Sequence, residues 1–348
     1  MNKTMQPYRI LAADIGGTNS TFALVDTSST PTIVHKARYP TSEVLIFPTI
    51  VNRYLEQLHK EGIAIPESGC FAIAGPVSNN KGRLTHAKFE VDAKELIEHT
   101  PLKETLVIND FDAVSFAIAT LTEKDKILIK KGEIDPLGRI AVIGAGTGLG
   151  KSLLVWDEHY RAHTPVPSET GHADLAVHSQ EEYDFADFTL KRLNTTGPAS
   201  WEMALSGRGL VNIYEFLLSR SGMNDKRRTL ADANITPEYI SANRKTDRLC
   251  AEAFSWFERF YARCAKNAVL DYVATGGVYI AGGIISNNKD LFGPVFLEEF
   301  TKNLRLKEIL VKAPIWGITN YDISLIGCAN ALRVWKDKTV NKSSPHNP

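Results

Sequence analysis

Residues 145–152 read AGTGLGKS, a glycine-rich octapeptide that fits the loose form of the Walker A phosphate loop. In that motif Lys151 contacts the β- and γ-phosphates, Ser152 holds magnesium, and a helix begins at the Lys-Ser pair. Here the following residues, SLLVWDEH, are rich in strand formers, and no acidic Walker B strand follows them. Four glycines within residues 144–150 let consecutive N–H groups converge on an anion. The pattern favours phosphate binding at the turn of a β-hairpin, with a P-loop and a purely structural turn as alternatives.

A second loop, DIGGTN, combines the same features at residues 14–19. Asp14 ends an apolar strand, Gly16 and Gly17 permit close approach to the backbone, and Thr18 and Asn19 offer a hydroxyl and an amide. A lone Gly-Gly pair is usually a simple hairpin turn. Two such loops, one of which opens with an acid suited to hydrated magnesium, favour a nucleotide clamped between two domains.

The two loops also share their surroundings. Residues 12–26 and 142–157 both read as an apolar strand, a Gly-Thr turn, a second strand and an aspartate, and they align when Thr18 is placed on Thr147. The repeat indicates a duplicated domain, although short glycine motifs also recur by chance.

Polar residues follow another predicted strand in LVINDFDAVSFAI, where Asn109 and Asp110 precede a helix. The carboxyl ends of strands in open α/β sheets are where ligands and catalytic groups gather. Asp110 could there accept a proton from a hydroxyl while Asn109 positions a sugar. The alternative for Asp110 is a helix N-cap.

Three weaker signals lie further along the chain. Glu169 and His172 flank a glycine in SETGHADLA, a segment that we predict to be non-helical, and a scaffold role is the alternative for His172. Glu202 lies near the start of a predicted helix (201–220), where an acid can simply stabilise the helix dipole. A strand in VYIAGGIISN runs into Gly282 and Gly283, where a ring or a ribose could lie on bare backbone.

Strands alternate with helices through the chain, which predicts an α/β fold. A polar stretch, Thr122–Gly138, is the predicted domain junction. We predict a small domain over residues 1–121, completed by the C-terminal segment 323–348, and a large domain over residues 122–322.

Composition narrows the class of protein. The chain has 348 residues, 43% hydrophobic and 23% charged, with a formal net charge of zero. That balance gives no indication of nucleic acid or of an anionic membrane surface as a partner. The four scattered cysteines predict buried, reduced thiols, and the chain shows no signal peptide and no membrane-spanning stretch. We therefore expect a cytoplasmic protein.

Taken in order, DIGGTN, VINDFDAVSFA, IGAGTGLGKS, ETGHADLA, SWEMALSGRGLVNIY and YIAGGI resemble bacterial glucokinases of the hexokinase and actin-like ATPase superfamily, from about residue 9 to about residue 335. The resemblance implies two ribonuclease-H-like domains around a cleft, and ATP-dependent phosphorylation of glucose at its 6-hydroxyl, which feeds glycolysis. It also implies a homodimer. ATP and Mg²⁺ are the implied cofactors, with no nucleic acid or membrane partner.

Site residues carry over from the resemblance by position. Asp110 is implied as the catalytic base, and Asp14 is implied to hold magnesium through water. The implied sugar ligands are Asn109, Asp110, Glu169, His172 and Glu202. The implied ATP ligands are Asp14, Gly16, Gly17, Thr18, Asn19, Gly144, Gly146, Thr147, Gly148, Gly282 and Gly283.

One segment departs from the family pattern. Where these kinases carry Thr-Asn-His-x-Trp, this chain reads Thr85-His86-Ala87-Lys88-Phe89, which puts sugar selectivity in question. The zinc motif and helix-turn-helix of the related repressor–kinase family are absent from the sequence. The alternatives are another hexose kinase of the same fold (for mannose, fructose or an amino sugar) and a sugar-sensing protein without catalysis.

Overall fold

The structure is a computed structural model that describes residues 8–84, 89–166, 168–221, 235–288 and 291–343. The chain forms two compact units. The first contains the chain up to Thr122, the segment Trp156–Pro165 and the chain from Tyr321 onwards; the second contains Glu123–Val155 and Val166–Asn320.

The first unit is built on a five-stranded sheet with the strand order β3-β2-β1-β4-β8. β1 and β2 form an antiparallel hairpin, whereas β4 runs parallel to both β1 and β8. The strands are β1 (Arg9–Ile15), β2 (Asn19–Asp26), β3 (Thr32–Pro40), β4 (Ser68–Ile73) and β8 (Glu104–Asn109), with a small second sheet of β5 (Val77–Ser78), β6 (Lys81–Arg83) and β7 (Glu90–Asp92).

Helices cover both faces of this sheet. They are α1 (Phe47–Lys60), α2 (Ala93–His99), α3 (Asp110–Ala117) and α11 (Ile323–Ser343). Alternate residues of β1 explain the arrangement, because Leu11 and Ala13 join the core beneath α1, while Ile10 and Ala12 join the core beneath α11. Both faces are apolar, as expected for the parallel part of a sheet.

The second unit repeats the strand plan. Its sheet contains the order β11-β10-β13-β14-β9, in which β10 and β11 are antiparallel and β13 runs parallel to both β10 and β14. The strands in this order are β9 (Lys126–Lys130), β10 (Ile140–Ala145), β11 (Leu149–Asp157), β13 (Gly277–Ala281) and β14 (Ile315–Ile318), whereas β12 (Ala162–Val166) lies mostly in the segment that belongs to the first unit. A hairpin followed by two parallel strands therefore occurs twice, which confirms the predicted duplication.

Most of the helical part of the chain belongs to the second unit. Its helices are α4 (Gln180–Arg192), α5 (Gly207–Arg220), α6 (Pro237–Asn243), α7 (Arg248–Tyr272), α8 (Gly283–Asn287), α9 (Pro294–Thr301) and α10 (Lys307–Lys312). The long α7 is the centre of the core, where Phe257, Phe260 and Tyr261 are buried with residues of β10 and β13.

The polar stretch Thr122–Gly138, the predicted junction, contains β9, which pairs with β14. One prediction about these elements is wrong. The helix predicted over residues 201–220 is a 3₁₀ turn at Trp201–Met203 followed by a separate α5. Ser206 causes the break, because it caps α5 by accepting from Gly209 N while its hydroxyl donates to Glu202 O.

Candidate active site

Two carboxylates lie at the carboxyl edge of the first sheet. Asp14 is next to last in β1, and Asp110 follows the last residue of β8, with the parallel strand β4 between them. Burial and then the charge of Asp14 raise the pKa of Asp110 to about 7 from its ordinary value of 3.8. A carboxyl group with this pKa can take up and release a proton near neutral pH.

The amide of Asn109 sets the start of helix α3. Its Oδ1 accepts from Phe111 N at 2.8 Å and from Asp112 N at 3.3 Å, and its Nδ2 donates to Gly75 O at 3.1 Å. Asn109 is therefore the N-cap, and the alternative that Asp110 serves as the N-cap is wrong. Asp110 is the first helical residue, and its Oδ1 accepts from Phe111 N at 2.9 Å.

Asp14 has neighbours that the sequence did not reveal. Ser324, in the first turn of α11, donates its hydroxyl to Asp14 Oδ2 at 2.5 Å. Burial raises the pKa of Asp14, the hydroxyl of Ser324 opposes that shift, and the charge of Asp322 adds to it. Asp322 itself is paired with Lys36 at 2.7 Å.

The first glycine loop joins β1 to β2 and is held by Thr41, a residue that the sequence reasoning missed. Thr41 N donates to Thr18 O at 3.0 Å, and its hydroxyl donates to Gly16 O at 2.7 Å. Gly17 and Thr18 are exposed at the tip, and Asn19 opens β2. A Cβ added at Gly17 would meet no heavy atom of the described chain within 4 Å, so packing does not require glycine there.

The second glycine loop joins β10 to β11 and is a hairpin turn. Gly146 N donates to Gly148 O at 2.9 Å, and Gly207 N donates to Gly146 O at 2.8 Å. Thr147 is exposed at the tip. Lys151 and Ser152 are buried within β11, so no helix starts at the Lys-Ser pair. This geometry confirms the hairpin and excludes a Walker A loop.

The predicted nucleotide glycines differ in their placement. Gly144 does not belong to the turn, because the ladder of β10 and β11 continues past it to Ala145 and leaves it buried in the sheet. Gly282 has a φ of 97° and lies so close to Ala145 that a Cβ would come within 2.5 Å of the Ala145 carbonyl oxygen. Gly283 begins α8, and a Cβ there would meet no described heavy atom within 4 Å. The Gly282–Gly283 pair and the second glycine loop are therefore adjacent.

The predicted sugar ligands of the second unit adjoin the same loop. Glu202 is not a surface acid at a helix start, because its Oε2 accepts from Leu149 N at 3.1 Å. Glu169 precedes the 3₁₀ turn Thr170–His172 and His172 ends it; both are exposed, and neither side chain is hydrogen-bonded to another described residue. Buried Gly171 fixes their segment, since a Cβ there would come within 2.0 Å of Leu149 O.

Some predictions concern residues or groups beyond these loops. Thr85, His86, Ala87 and Lys88 lie outside the described residues. Phe89 is buried and stacks on Phe47 with ring centroids 5.5 Å apart, so it is a core residue. All four cysteines are buried as thiols outside disulfide bonds, as predicted.

Two absences hold for the described part of the chain. It contains no group of three or more His, Cys, Asp or Glu residues that could hold a metal ion. None of its helices has the length and apolar character needed to cross a membrane.

The repeated sheet and its glycine turns give an α/β protein with the actin-like ATPase fold, as predicted. A family model described as Glucokinase matches residues 11–334, and the chain belongs to this family. It is 32% identical to the glucokinase of a Nostoc species over 339 residues (92% of this chain, 97% of that protein) and 31% identical to that of Rhizobium johnstonii over 330 residues (94% and 92%).

Solved structures agree with this fold. The glucokinase of an Antarctic psychrotroph superposes with a TM-score of 0.80 at 27% identity, covering 94% of this chain and 99% of that protein. A ROK-family glucokinase from Streptomyces griseus, solved in complex with glucose and AMPPNP, has a TM-score of 0.60 at 18% identity, covering 93% and 98%. At that identity the second comparison speaks for the fold alone.

Proposed function

We propose that this member of the Glucokinase family transfers the γ-phosphoryl group of ATP to the 6-hydroxyl of glucose, with Asp110 as the general base. The observation that carries the proposal is the position of Asp110 at the carboxyl edge of the sheet, with a pKa raised to about 7 by burial and by the charge of Asp14. A base works best when its pKa lies near the pH at which it operates.

The transfer itself requires little covalent chemistry from the protein. The transition state is loose, so positioning of the hydroxyl and neutralisation of phosphate charge supply most of the rate acceleration. Asp110 would take the proton of the 6-hydroxyl of glucose as the oxygen of that hydroxyl attacks the γ-phosphorus of ATP. The bond between the γ-phosphorus and the bridging oxygen of ADP breaks at the same time. Glucose 6-phosphate and ADP leave as products.

Sugar recognition is assigned to the amide of Asn109 and to Glu169, His172 and Glu202. Asn109 uses one amide hydrogen on Gly75 O, which leaves the other for a sugar hydroxyl. Glu169 and His172 are exposed without side-chain partners among the described residues, so sugar hydroxyls can bind them without displacing a protein contact.

Nucleotide binding is assigned to the two glycine turns and the glycine pair after β13. Gly17, Gly146 and Gly283 share one property: each has an ordinary φ and no described heavy atom within 4 Å of the place where a Cβ would lie. Glycine at these positions therefore serves neither backbone conformation nor packing, and the missing side chain leaves the backbone open to phosphate or ribose. Thr18 and Thr147 add exposed hydroxyls at the two tips.

The residues present fit a nucleotide-bound magnesium ion. Mg²⁺ in kinases keeps several waters and needs only one or two protein carboxylates besides the phosphates, so a single acid such as Asp14 suffices. When bound, the ion would neutralise phosphate charge during transfer. Asp14 Oδ2 accepts from Ser324, which leaves Oδ1 to hold a water of the ion.

An assay for glucose 6-phosphate with ATP and magnesium tests the proposal. Formation of the product supports it, and absence of the product contradicts it. A panel of glucose, mannose, fructose and glucosamine at fixed ATP separates a glucokinase from another hexose kinase. A sugar sensor would bind glucose without forming ADP.

We place the reaction in the cytoplasm, at the entry of glucose into glycolysis. We also expect a homodimer, which sedimentation tests.

A further inference from the structure

The contact between α11 and Asp14 joins the C-terminal end of the chain to the first glycine loop. Ser324 is only 5% exposed, and its hydroxyl donates to Asp14 Oδ2 at 2.5 Å. No other described side chain is recorded as a hydrogen-bond donor to Asp14. This one hydroxyl therefore sets the orientation of the carboxylate.

Helix α11 is fixed firmly against the elements that carry both carboxylates. A Cβ at Gly327 would come within 1.7 Å of Ala113 O, so α11 and α3 approach closely there. Cys328 Sγ donates to Ala13 O at 3.7 Å, next to Asp14, and Asn330 Nδ2 donates to Phe116 O at 2.7 Å. Ser324 is thus held at a fixed position relative to β1 and α3.

A second acid near Asp14 is neutralised by a different residue. Asp322 contributes to the raised pKa of Asp14, but its Oδ2 is paired with Lys36 Nζ at 2.7 Å. Asp322 and Ser324 therefore have separate partners, Lys36 and Asp14. Ser324 is a neutral donor that contacts Asp14 without adding charge.

We propose that Ser324 is a positioning residue for phosphoryl transfer: its hydroxyl occupies Asp14 Oδ2, holds the carboxylate in one orientation and leaves Oδ1 for the hydrated metal of the nucleotide. This rests on the proposed function, in which Asp14 receives that metal. Hydrogen-bonding partners of metal-binding carboxylates commonly change metal affinity by about 10- to 100-fold when they are removed.

The test measures binding as well as turnover. Mn²⁺ with AMPPNP, a non-transferable ATP analogue, is titrated by calorimetry into the full-length protein and into Ser324→Ala, Ser324→Thr, Asp14→Ala and the double variant Asp14→Ala/Ser324→Ala. Thr105→Val is the control for lost stability, because it removes a buried hydroxyl that donates to Ala93 O at 2.8 Å at the opposite end of β8 from Asp110.

We expect Ser324→Ala to weaken binding of Mn²⁺–AMPPNP about tenfold and to raise the KM for ATP similarly, with the KM for glucose within about twofold of the wild-type value. Ser324→Thr retains the hydroxyl and should bind like the wild type. In the Asp14→Ala background, the further change Ser324→Ala should have no effect, because its partner is already gone. Thr105→Val should lower the melting temperature without changing binding.

Three results would overturn the proposal. In the first, Ser324→Ala binds Mn²⁺–AMPPNP as tightly as the wild type while Asp14→Ala binds it weakly. Ser324 would then have no positioning role, and the proposed function would stand. In the second, Ser324→Ala weakens binding of Mn²⁺–AMPPNP equally with and without Asp14. In the third, Thr105→Val weakens binding as much as Ser324→Ala does. Either result would show that Ser324 contributes to stability alone. A wild-type protein that neither binds Mn²⁺–AMPPNP nor forms glucose 6-phosphate would contradict the proposed function itself, and the role of Ser324 with it.

Discussion

Asp14 and Asp110 lie at the same edge of one sheet, at the ends of β1 and β8 with the parallel strand β4 between them, and the charge of Asp14 helps to raise the pKa of Asp110 to about 7. The topology causes this proximity, because parallel neighbours bring their carboxyl ends together. In the proposed function, one of these carboxylates takes the proton and the other holds the metal.

The raised pKa of Asp110 predicts a pH-dependent cost in stability. The folded pKa exceeds the ordinary value of 3.8, so folding is favoured at low pH and this contribution is lost as the pH rises through about 7. Asp110→Asn should therefore be more stable than the wild type at pH 8, by about 1–3 kcal/mol, with a smaller difference at pH 5. Melting temperatures at the two pH values measure the effect.

A surface acid serves as the control for that comparison. Glu98→Gln, at an exposed position of α2, is the matched control, because it replaces a carboxyl group that is not buried. A difference for Asp110→Asn that is equal at pH 5 and pH 8, or one that grows as the pH falls, would contradict the raised pKa.

The open space around Gly17 predicts a separation between binding and stability. Gly17→Ala should leave the melting temperature unchanged, because a Cβ there meets no described heavy atom within 4 Å. It should raise the KM for ATP about tenfold or more, because the methyl group would lie where the proposed function places phosphate. An unchanged KM for ATP would show that the first glycine loop does not contact the nucleotide.

Gly62 is the control for Gly17, because its substitution should affect stability and not substrate binding. It too has no described neighbour within 4 Å of a Cβ, but its φ of 73° disfavours other residues. Gly62→Ala should therefore lower the free energy of unfolding by about 1 kcal/mol and leave both KM values unchanged.

The bond from Leu149 N to Glu202 Oε2 predicts that Glu202 affects nucleotide binding as well as sugar binding. Glu202→Ala leaves the N–H of Leu149 without its acceptor, so the KM values for ATP and glucose should both rise about tenfold. Glu202→Gln keeps an acceptor oxygen and should change the KM for ATP by no more than about twofold. Steady-state kinetics with each substrate varied in turn measures both constants.

Arg208 provides the control for the charge of Glu202. Its side chain is 76% exposed and lies 3.6 Å from Glu202 Oε1, so Arg208→Ala should change either KM little. Equal effects of Glu202→Ala and Glu202→Gln on the KM for ATP would show that the bond to Leu149 does not matter.

Lys151 and Ser152 distinguish the hairpin from a Walker A loop in solution. Both are buried in β11, and the Ser152 hydroxyl has no hydrogen-bond partner among the described residues. Lys151→Met and Ser152→Ala should therefore keep kcat and both KM values within about threefold of the wild type, since neither side chain holds phosphate or metal. A loss of turnover beyond about 100-fold in either variant would contradict the hairpin assignment.

Local sequence patterns predicted the hairpins, the duplication and the strand end before Asp110, because periodicity and glycine turns act over a few residues. They could not place Ser324 beside Asp14 or Thr41 behind the first loop, since those contacts join residues 310 and 25 positions apart. The break before α5 was missed for a related reason: Ser206 ends the 3₁₀ turn by bonding to Glu202 O, and helical spacing alone does not show that bond.

Turnover of Asp110→Asn tests the central claim most directly. With ATP, magnesium and glucose in a coupled assay for glucose 6-phosphate, kcat should fall by about 10²- to 10⁴-fold, while the dissociation constant for glucose changes little. The amide keeps the shape of the side chain but cannot accept the proton. Near wild-type turnover by Asp110→Asn would show that Asp110 is not the base.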